Sequence, residues 1–128
     1  MSKSKYTLVV IESPFAGDVK RNIAYTRMCM FDSLQRGEAP YASHLLYTQP
    51  GVLDDTIPEQ RTMGIEAGLA FKDVCAKTVV YEDFGISKGM QMGIDRANEN
   101  NQEVEYRRIL NNGQDFKRLF ELSNTEGF

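Results

Sequence analysis

Residues 80–90 read VYEDFGISKGM, and this stretch decides the fold class of the chain. Its apolar start is typical of a buried strand, and Ser87, placed before a periodic apolar segment, is typical of a helix N-cap. Gly85 and Gly89 allow a tight turn between the strand and the helix. A strand-to-helix turn of this kind aims backbone N–H groups at one point, which suits a phosphate or sugar oxygen.

An earlier stretch repeats the design. Residues 9–18 read VVIESPFAGD, in which a β-branched run leads through a glycine-bearing loop to Asp18, a second candidate N-cap. Two such junctions in one short chain predict an α/β domain that holds a nucleotide-like ligand at the carboxyl ends of its strands.

Strands and helices alternate along the rest of the chain. The apolar patterns and breakers predict strands at 6–11, 42–47, 78–81 and 104–109, and helices at 19–35, 56–75, 87–98 and 115–122. This order favours a three-layer flavodoxin-like or Rossmann-like α/β domain with a mainly parallel sheet of about four to five strands. We expect one domain over 1–128, with a loose C-terminal tail from about residue 111.

The bulk composition narrows the class of protein. The chain has 128 residues, 41% hydrophobic and 26% charged, which is ordinary for a globular domain. A net charge of −3 and a pI near 5.2 argue against general nucleic-acid binding. No apolar run is long enough to span a membrane, and residues 1–5 lack the apolar core of a signal peptide, so we expect a cytoplasmic protein.

The glycine-bearing turns differ from two well-defined nucleotide motifs. Gly85 and Gly89 form neither GxGxxG nor a P-loop, and no GK[ST] occurs in the chain. ATP hydrolysis and NAD-dependent redox chemistry therefore lose support.

Four motifs together resemble a known family. They read ESPFAG at 12–17, SHLLY at 43–47, GIEAG at 64–68 and GISKGM at 85–90. The chain resembles small phage and bacterial nucleoside 2-deoxyribosyltransferase-like proteins from about Tyr6 to Arg108. The resemblance implies a flavodoxin-like fold, assembly as a homo-oligomer, and cleavage of the bond between base and deoxyribose by a glutamate on a helix. It implies no metal and no redox cofactor.

Two alignments place that glutamate differently. By motif, TMGIEAGLA at 62–70 matches the family pattern and makes Glu66 the nucleophile. By topology, the family motif follows a strand directly, which puts Gly89 on its first glycine and Gly93 on the nucleophile position. Glu66 also borders a helical stripe expected to be buried, formed by Met63, Ala67, Ala70 and Val74, and has no Lys or Arg three or four residues away. The catalytic residue is therefore Glu66 under the first alignment and is absent under the second.

The ligand is expected to be a nucleoside or nucleotide, and the candidate contacts come from the turns and strand ends. They are Ser13, Phe15, Gly17, Asp18, His44, Tyr47, Asp54, Asp55, Gly85, Ser87, Gly89 and Met90. Each also has a plain structural interpretation, such as a cap for Asp18 and Ser87, a satisfied strand histidine for His44 and a solvated turn for the aspartate pair.

Two functions from different classes fit these expectations. One is an N-glycosidase or deoxyribosyltransferase that binds and cleaves a nucleoside or nucleotide. The alternative is a non-catalytic phage protein that sequesters a nucleotide-derived defence signal in the host cytoplasm, an anti-defence role that needs no nucleophile. A partner among host macromolecules is a third hypothesis. The methionines and small residues near 90–93 favour a homo-oligomer in each case.

Overall fold

Four strands and five helices form within residues 5–125, the part of the chain that this computed structural model describes. The strands are β1 (Thr7–Glu12), β2 (Glu38–Tyr41), β3 (Lys77–Tyr81) and β4 (Glu103–Arg107). The helices are α1 (Val19–Gln35), α2 (Ser43–Leu46), α3 (Pro58–Lys72), α4 (Lys88–Glu99) and α5 (Gly113–Ser123).

The sheet is parallel throughout, with strand order β2-β1-β3-β4. The chain leaves β1 towards β2 on one side and returns to β3 on the other side of β1. The strand order therefore reverses between β1 and β3, which is where parallel α/β sheets open a crevice for a ligand. This arrangement confirms the predicted α/β class with a Rossmann- or flavodoxin-like layering.

Helices cover both faces of the sheet. On one face, α1 and α5 close a core that includes Val9, Tyr25, Val79 and Leu119. On the other face, α4 packs Met90 and Ile94 against Val80. The central strands are buried on both sides, which explains why their sequences read as continuous apolar runs rather than alternating ones.

The helix caps predicted at Asp18 and Ser87 both form, whereas the capping box expected at Thr56 and Glu59 does not, because α3 begins after Ile57 without a side-chain cap. Asp18 accepts a hydrogen bond from the backbone N–H of Arg21 at 3.2 Å, and α1 begins at the next residue. Ser87 accepts a hydrogen bond from the N–H of Met90 at 3.2 Å at the start of α4. The caps satisfy amides that have no partner inside the helix, and so fix where each helix begins.

The second strand was placed wrongly by sequence. It was predicted at 42–47, but β2 covers Glu38–Tyr41 and residues 43–46 form the short helix α2. Pro40 suggested a boundary, yet it lies inside β2. An edge strand tolerates a proline because one side of its backbone has no strand to pair with.

The helix predicted at 115–122 forms, so the C-terminal segment is more ordered than the loose tail predicted from about residue 111. Residues 113–123 form α5, which packs on α1, and Leu119 is 5% exposed. The end of the predicted tail, residues 126–128, lies outside the described residues.

A buried ionic cluster ties the sheet to α1. Arg107 at the end of β4 donates two hydrogen bonds to the Glu38 carboxylate, at 2.8 and 2.6 Å. Ser33 of α1 and Lys77 also contact that carboxylate, at 2.7 and 3.2 Å. The pKa of Glu38 is lowered from 4.5 to about 2, chiefly by the hydrogen bonds from Arg107. Two chain-distant strands are thereby joined through charges that are almost out of water.

No helix within residues 5–125 is long and apolar enough to cross a membrane.

Candidate functional site

A cavity of about 270 Å³ opens at the carboxyl ends of β1 and β2, beside the N-terminal half of α4 and the inner side of α3. It lies next to the reversal of strand order between β1 and β3. Its volume is close to the lower end of small-molecule sites, about 300–1,000 Å³. It therefore suits a ligand the size of one nucleoside better than a dinucleotide.

The structure brings eight of the twelve predicted ligand residues to this cavity. They are Ser13, Phe15, His44, Tyr47, Asp55, Ser87, Gly89 and Met90. They come from four separate stretches of the chain, and the fold gathers them because both glycine-bearing turns follow strands that end at one edge of the sheet. Their contact with a ligand stays a prediction.

The other four predicted ligand residues are not among the cavity-lining residues. Gly17 and Gly85 have positive φ angles of 99° and 82° and shape the turns themselves. Asp18 is used as the cap of α1. Asp54 is exposed and accepts hydrogen bonds from the Thr56 N–H and hydroxyl, at 2.9 and 2.6 Å, which lowers its pKa.

Glu66 also lies away from the cavity. Its neighbours Ile65 and Gly68 line the cavity, whereas Glu66 itself is exposed on α3 and is not among the lining residues. The stripe expected to be buried beside it is turned outward, with Met63 and Val74 57% and 68% exposed. The side of α3 that faces the protein is instead the one with Gly64, Gly68 and Lys72.

An aromatic pair forms one wall of the cavity. The rings of Phe15 and His44 stack with centroids 5.2 Å apart and an interplanar angle of 25°. The Nε2 atom of His44 is 2.9 Å from the Ser13 carbonyl oxygen, which fixes the ring in place. Burial lowers the pKa of His44, so the imidazole is held neutral near pH 7. A neutral flat wall of this kind suits the face of a base.

The floor of the cavity carries a carboxylate that sequence reasoning did not single out. Glu12, the last residue of β1, has its Oε2 atom 2.9 Å from the Nζ atom of Lys72. The Glu12 and Lys72 side chains are 14% and 3% exposed. Burial raises the pKa of Glu12, and the Lys72 ammonium opposes this.

Glycine at position 93 makes room for this carboxylate. A Cβ atom on Gly93 would lie 2.1 Å from Glu12 Oε2 and 2.3 Å from its carboxyl carbon. The carboxyl group thus fills the space where a side chain on residue 93 would begin. Position 93 is also the one that the topological alignment puts on the family nucleophile, so a carboxylate occupies that region although residue 93 has no side chain.

Basic side chains also reach the cavity lining. Arg61 of α3 and Lys88 of α4 both line it, and both are exposed. Lys88 is the first residue of α4, whose free N-terminal amides and positive dipole end favour an anion.

Sequence reasoning placed Gly93 at the family nucleophile position but missed Glu12 and Lys72. One signal for Glu12 was available, because a carboxylate at the end of an apolar strand, directly before a loop, lies at the ligand edge of a parallel sheet. No such signal existed for Lys72, which is at the end of a helix where lysines are common for the helix dipole alone.

The fold and the cavity define an α/β protein with a cavity beside the switch point of a parallel sheet. Residues 7–107 match the model of a family described as Domain of unknown function (DUF7768). That match covers most of the chain, which therefore belongs to this family. No curated protein and no solved structure matches the chain.

Proposed function

We propose that this protein binds a nucleoside or a nucleoside monophosphate in the cavity at the carboxyl ends of β1 and β2. The observation that carries the proposal is the cavity's combination of size, place and lining. It is nucleoside-sized, it lies at the switch point of the sheet, and it offers an aromatic wall, a carboxylate floor and a basic side. A base would stack on the wall, and a sugar and phosphate have polar partners elsewhere in the same space.

The proposal takes binding without cleavage as the main function. The family resemblance assigns cleavage of the sugar–base bond to Glu66, and this requires Glu66 to reach the bound sugar. Its exposed position outside the cavity lining supports the alternative, in which the ligand is held intact. A protein of that kind would act by sequestering its nucleotide or nucleotide-derived ligand, as in the anti-defence hypothesis.

The function is tested by titration calorimetry with ribonucleosides, deoxyribonucleosides and their 5′-monophosphates. We expect at least one of them to bind at one site per chain. Phe15→Ala is expected to weaken that binding about 10- to 100-fold, because base–aromatic stacking contributes about 1–3 kcal/mol. Chromatography of the same mixtures is expected to detect no free base.

Glu66→Ala is the matched control for this titration. It removes a side chain from the exposed face of α3, so we expect unchanged affinity. Failure of every nucleoside and nucleotide to bind would refute the proposed function. Release of free base by the wild type, abolished by Glu66→Ala with binding intact, would replace it by the enzymatic alternative.

We also propose that a second copy of this chain covers the outward face of α3. Met63 and Ala70 are exposed there, Ala67 is half-buried beside them, and Val74, two residues past the end of α3, continues this apolar stripe. A contiguous apolar stripe of this kind is unusual on a monomer and typical of an isologous interface.

Light scattering is expected to give a mass of twice 14.5 kDa at micromolar concentration. The double variant Met63→Glu/Val74→Glu should be monomeric, because a dimer would bury four carboxylates in an apolar contact. Phe120→Glu, on the far helix α5 at a residue 71% exposed, is the control and should stay dimeric. A monomeric wild type would contradict this proposal.

A further inference from the structure

The Glu12–Lys72 pair is held in place by a chain of hydrogen bonds behind it. Lys72 Nζ also donates to the Thr78 hydroxyl at 2.9 Å, and that hydroxyl donates to Gln102 Oε1 at 2.6 Å. The Gln102 amide in turn donates to the carbonyl oxygens of Lys72 and Cys75, at 2.9 and 2.8 Å. The ammonium is therefore fixed by β3 and by the end of α3 and is not free to swing.

This arrangement leaves hydrogen-bonding capacity on two residues that line the cavity. Glu12 Oε2 is used by Lys72. Glu12 Oε1 lies over Gly93, 2.8 Å from where a Cβ atom would stand, and no hydrogen bond to it is seen within residues 5–125. A lysine ammonium has three N–H donors, and Lys72 uses two of them within the described part of the chain. Both residues line the cavity, so its floor presents an acceptor beside a donor.

A hydroxyl-bearing ligand matches this floor, and a phosphate does not. A sugar hydroxyl can donate to the free carboxylate oxygen and accept from the ammonium at the same time. A phosphate oxygen would be repelled by Glu12 at a site that is nearly out of water. A purely apolar group would leave the carboxylate oxygen buried without a partner, which costs free energy.

We propose that the Glu12–Lys72 pair binds the hydroxyl groups of the ligand's sugar, with Glu12 Oε1 as their acceptor. The inference rests on the proposed function and names the group of the ligand that the floor recognises. Thr78 and Gln102 act as positioning residues, because they touch Lys72 rather than the ligand. The sugar then points to the floor, which directs the base to the aromatic wall and any phosphate to the Lys88 side.

The test is a thermodynamic cycle in which the Glu12 carboxylate and the sugar hydroxyls are removed separately and together. Calorimetry compares adenosine, guanosine, cytidine and uridine with their 2′,3′-dideoxy counterparts, on the wild type and on Glu12→Gln. For the nucleoside that binds, loss of both hydroxyls is expected to weaken wild-type binding about 10- to 100-fold, as for hydrogen bonds to a charged group. In Glu12→Gln, removal of both hydroxyls is expected to weaken binding by less than about 10-fold, because the remaining acceptor is neutral.

Glu66→Gln is the matched control, and it should keep the full wild-type difference between nucleoside and dideoxynucleoside. Equal wild-type binding of the two ligands would overturn this inference and leave the proposed function standing. Failure of every nucleoside and nucleotide to bind would instead overturn the proposed function, and this inference with it. If Glu12→Gln does not fold, the inference is decided by the wild-type affinities for the nucleoside and the dideoxynucleoside. The 2′-deoxy and 3′-deoxy forms then show which hydroxyl contributes to binding.

Discussion

Arg107→Met is expected to lower the free energy of unfolding by about 3 kcal/mol, because it leaves a buried carboxylate without its main partner. The Arg107 side chain is 5% exposed and holds Glu38, which is itself 5% exposed, through two hydrogen bonds. It also donates to the Tyr81 hydroxyl at 3.0 Å and contacts Glu105. Lys77 stays near Glu38, which keeps the loss at the lower end of the range for broken buried pairs. Urea unfolding followed by circular dichroism measures the change.

Arg108→Met is the control next door in the chain. Arg108 is 69% exposed and makes one ion pair with Glu82 at 3.3 Å, so its removal should change stability by less than about 0.5 kcal/mol. A loss below about 1 kcal/mol in Arg107→Met would show that the buried cluster does not hold the fold together.

Acid unfolding gives the same prediction a second readout. The pKa of Glu38 is lowered to about 2 in the folded protein from an ordinary value of 4.5. Its contribution to stability is therefore complete above about pH 5 and is lost as the pH falls from there towards 2. In Arg107→Met this loss should be smaller, because the main cause of the lowered pKa is gone.

Gly93→Ala is expected to lower the free energy of unfolding by about 2 kcal/mol and to weaken ligand binding at least about 10-fold. The new Cβ would lie 2.1 Å from Glu12 Oε2, so the carboxylate must leave its position. Its departure separates it from Lys72, which is 3% exposed, and pushes it into the cavity that the ligand would fill. Alanine's better helix propensity, worth about 1 kcal/mol, offsets only part of this cost.

Gly89→Ala is the matched control, one turn earlier on α4. No atom lies within 4 Å of a Cβ built there, so the same change should leave stability the same or raise it by up to about 1 kcal/mol. In a Glu12→Ala background, Gly93→Ala should no longer destabilise, since the clashing group is absent. Persistence of the full cost in that background would disprove the proposed fit of Glu12 over Gly93.

Local signals were sufficient wherever the decisive interaction lies between near neighbours in the chain. Asp18 and Ser87 were predicted as caps, and both bond the amide three residues ahead. The alternation of apolar runs with helical periods predicted the parallel α/β class, and the glycine-bearing turns predicted the edge of the sheet at which the cavity lies. The strand predicted at 42–47 was wrong because a short apolar run has the same pattern in a strand and in a helix.

The exposed side of α3 shows why burial could not be read from periodicity. Met63, Ala67, Ala70 and Val74 follow a helical period, which normally marks the buried side, but Ala67 is only half-buried and the other three are exposed. The inner side carries Gly64, Gly68 and Lys72, where Leu53 and Ser43 approach the two glycines and Lys72 pairs with Glu12. A helix beside a cavity or an oligomer contact does not obey the rule for a helix on a closed core.

The sequence by itself determined the alternation of strands and long helices, the caps at Asp18 and Ser87, and the end of the sheet at which the cavity opens. Each of these rests on contacts within a few residues or on the parallel-strand rule. Only the tertiary structure decided which carboxylate lies in the cavity. Glu12 meets Lys72 across 60 residues of chain and meets Gly93 across 81, as their numbers show. No local pattern encodes such meetings, because they depend on how β1, α3 and α4 pack together.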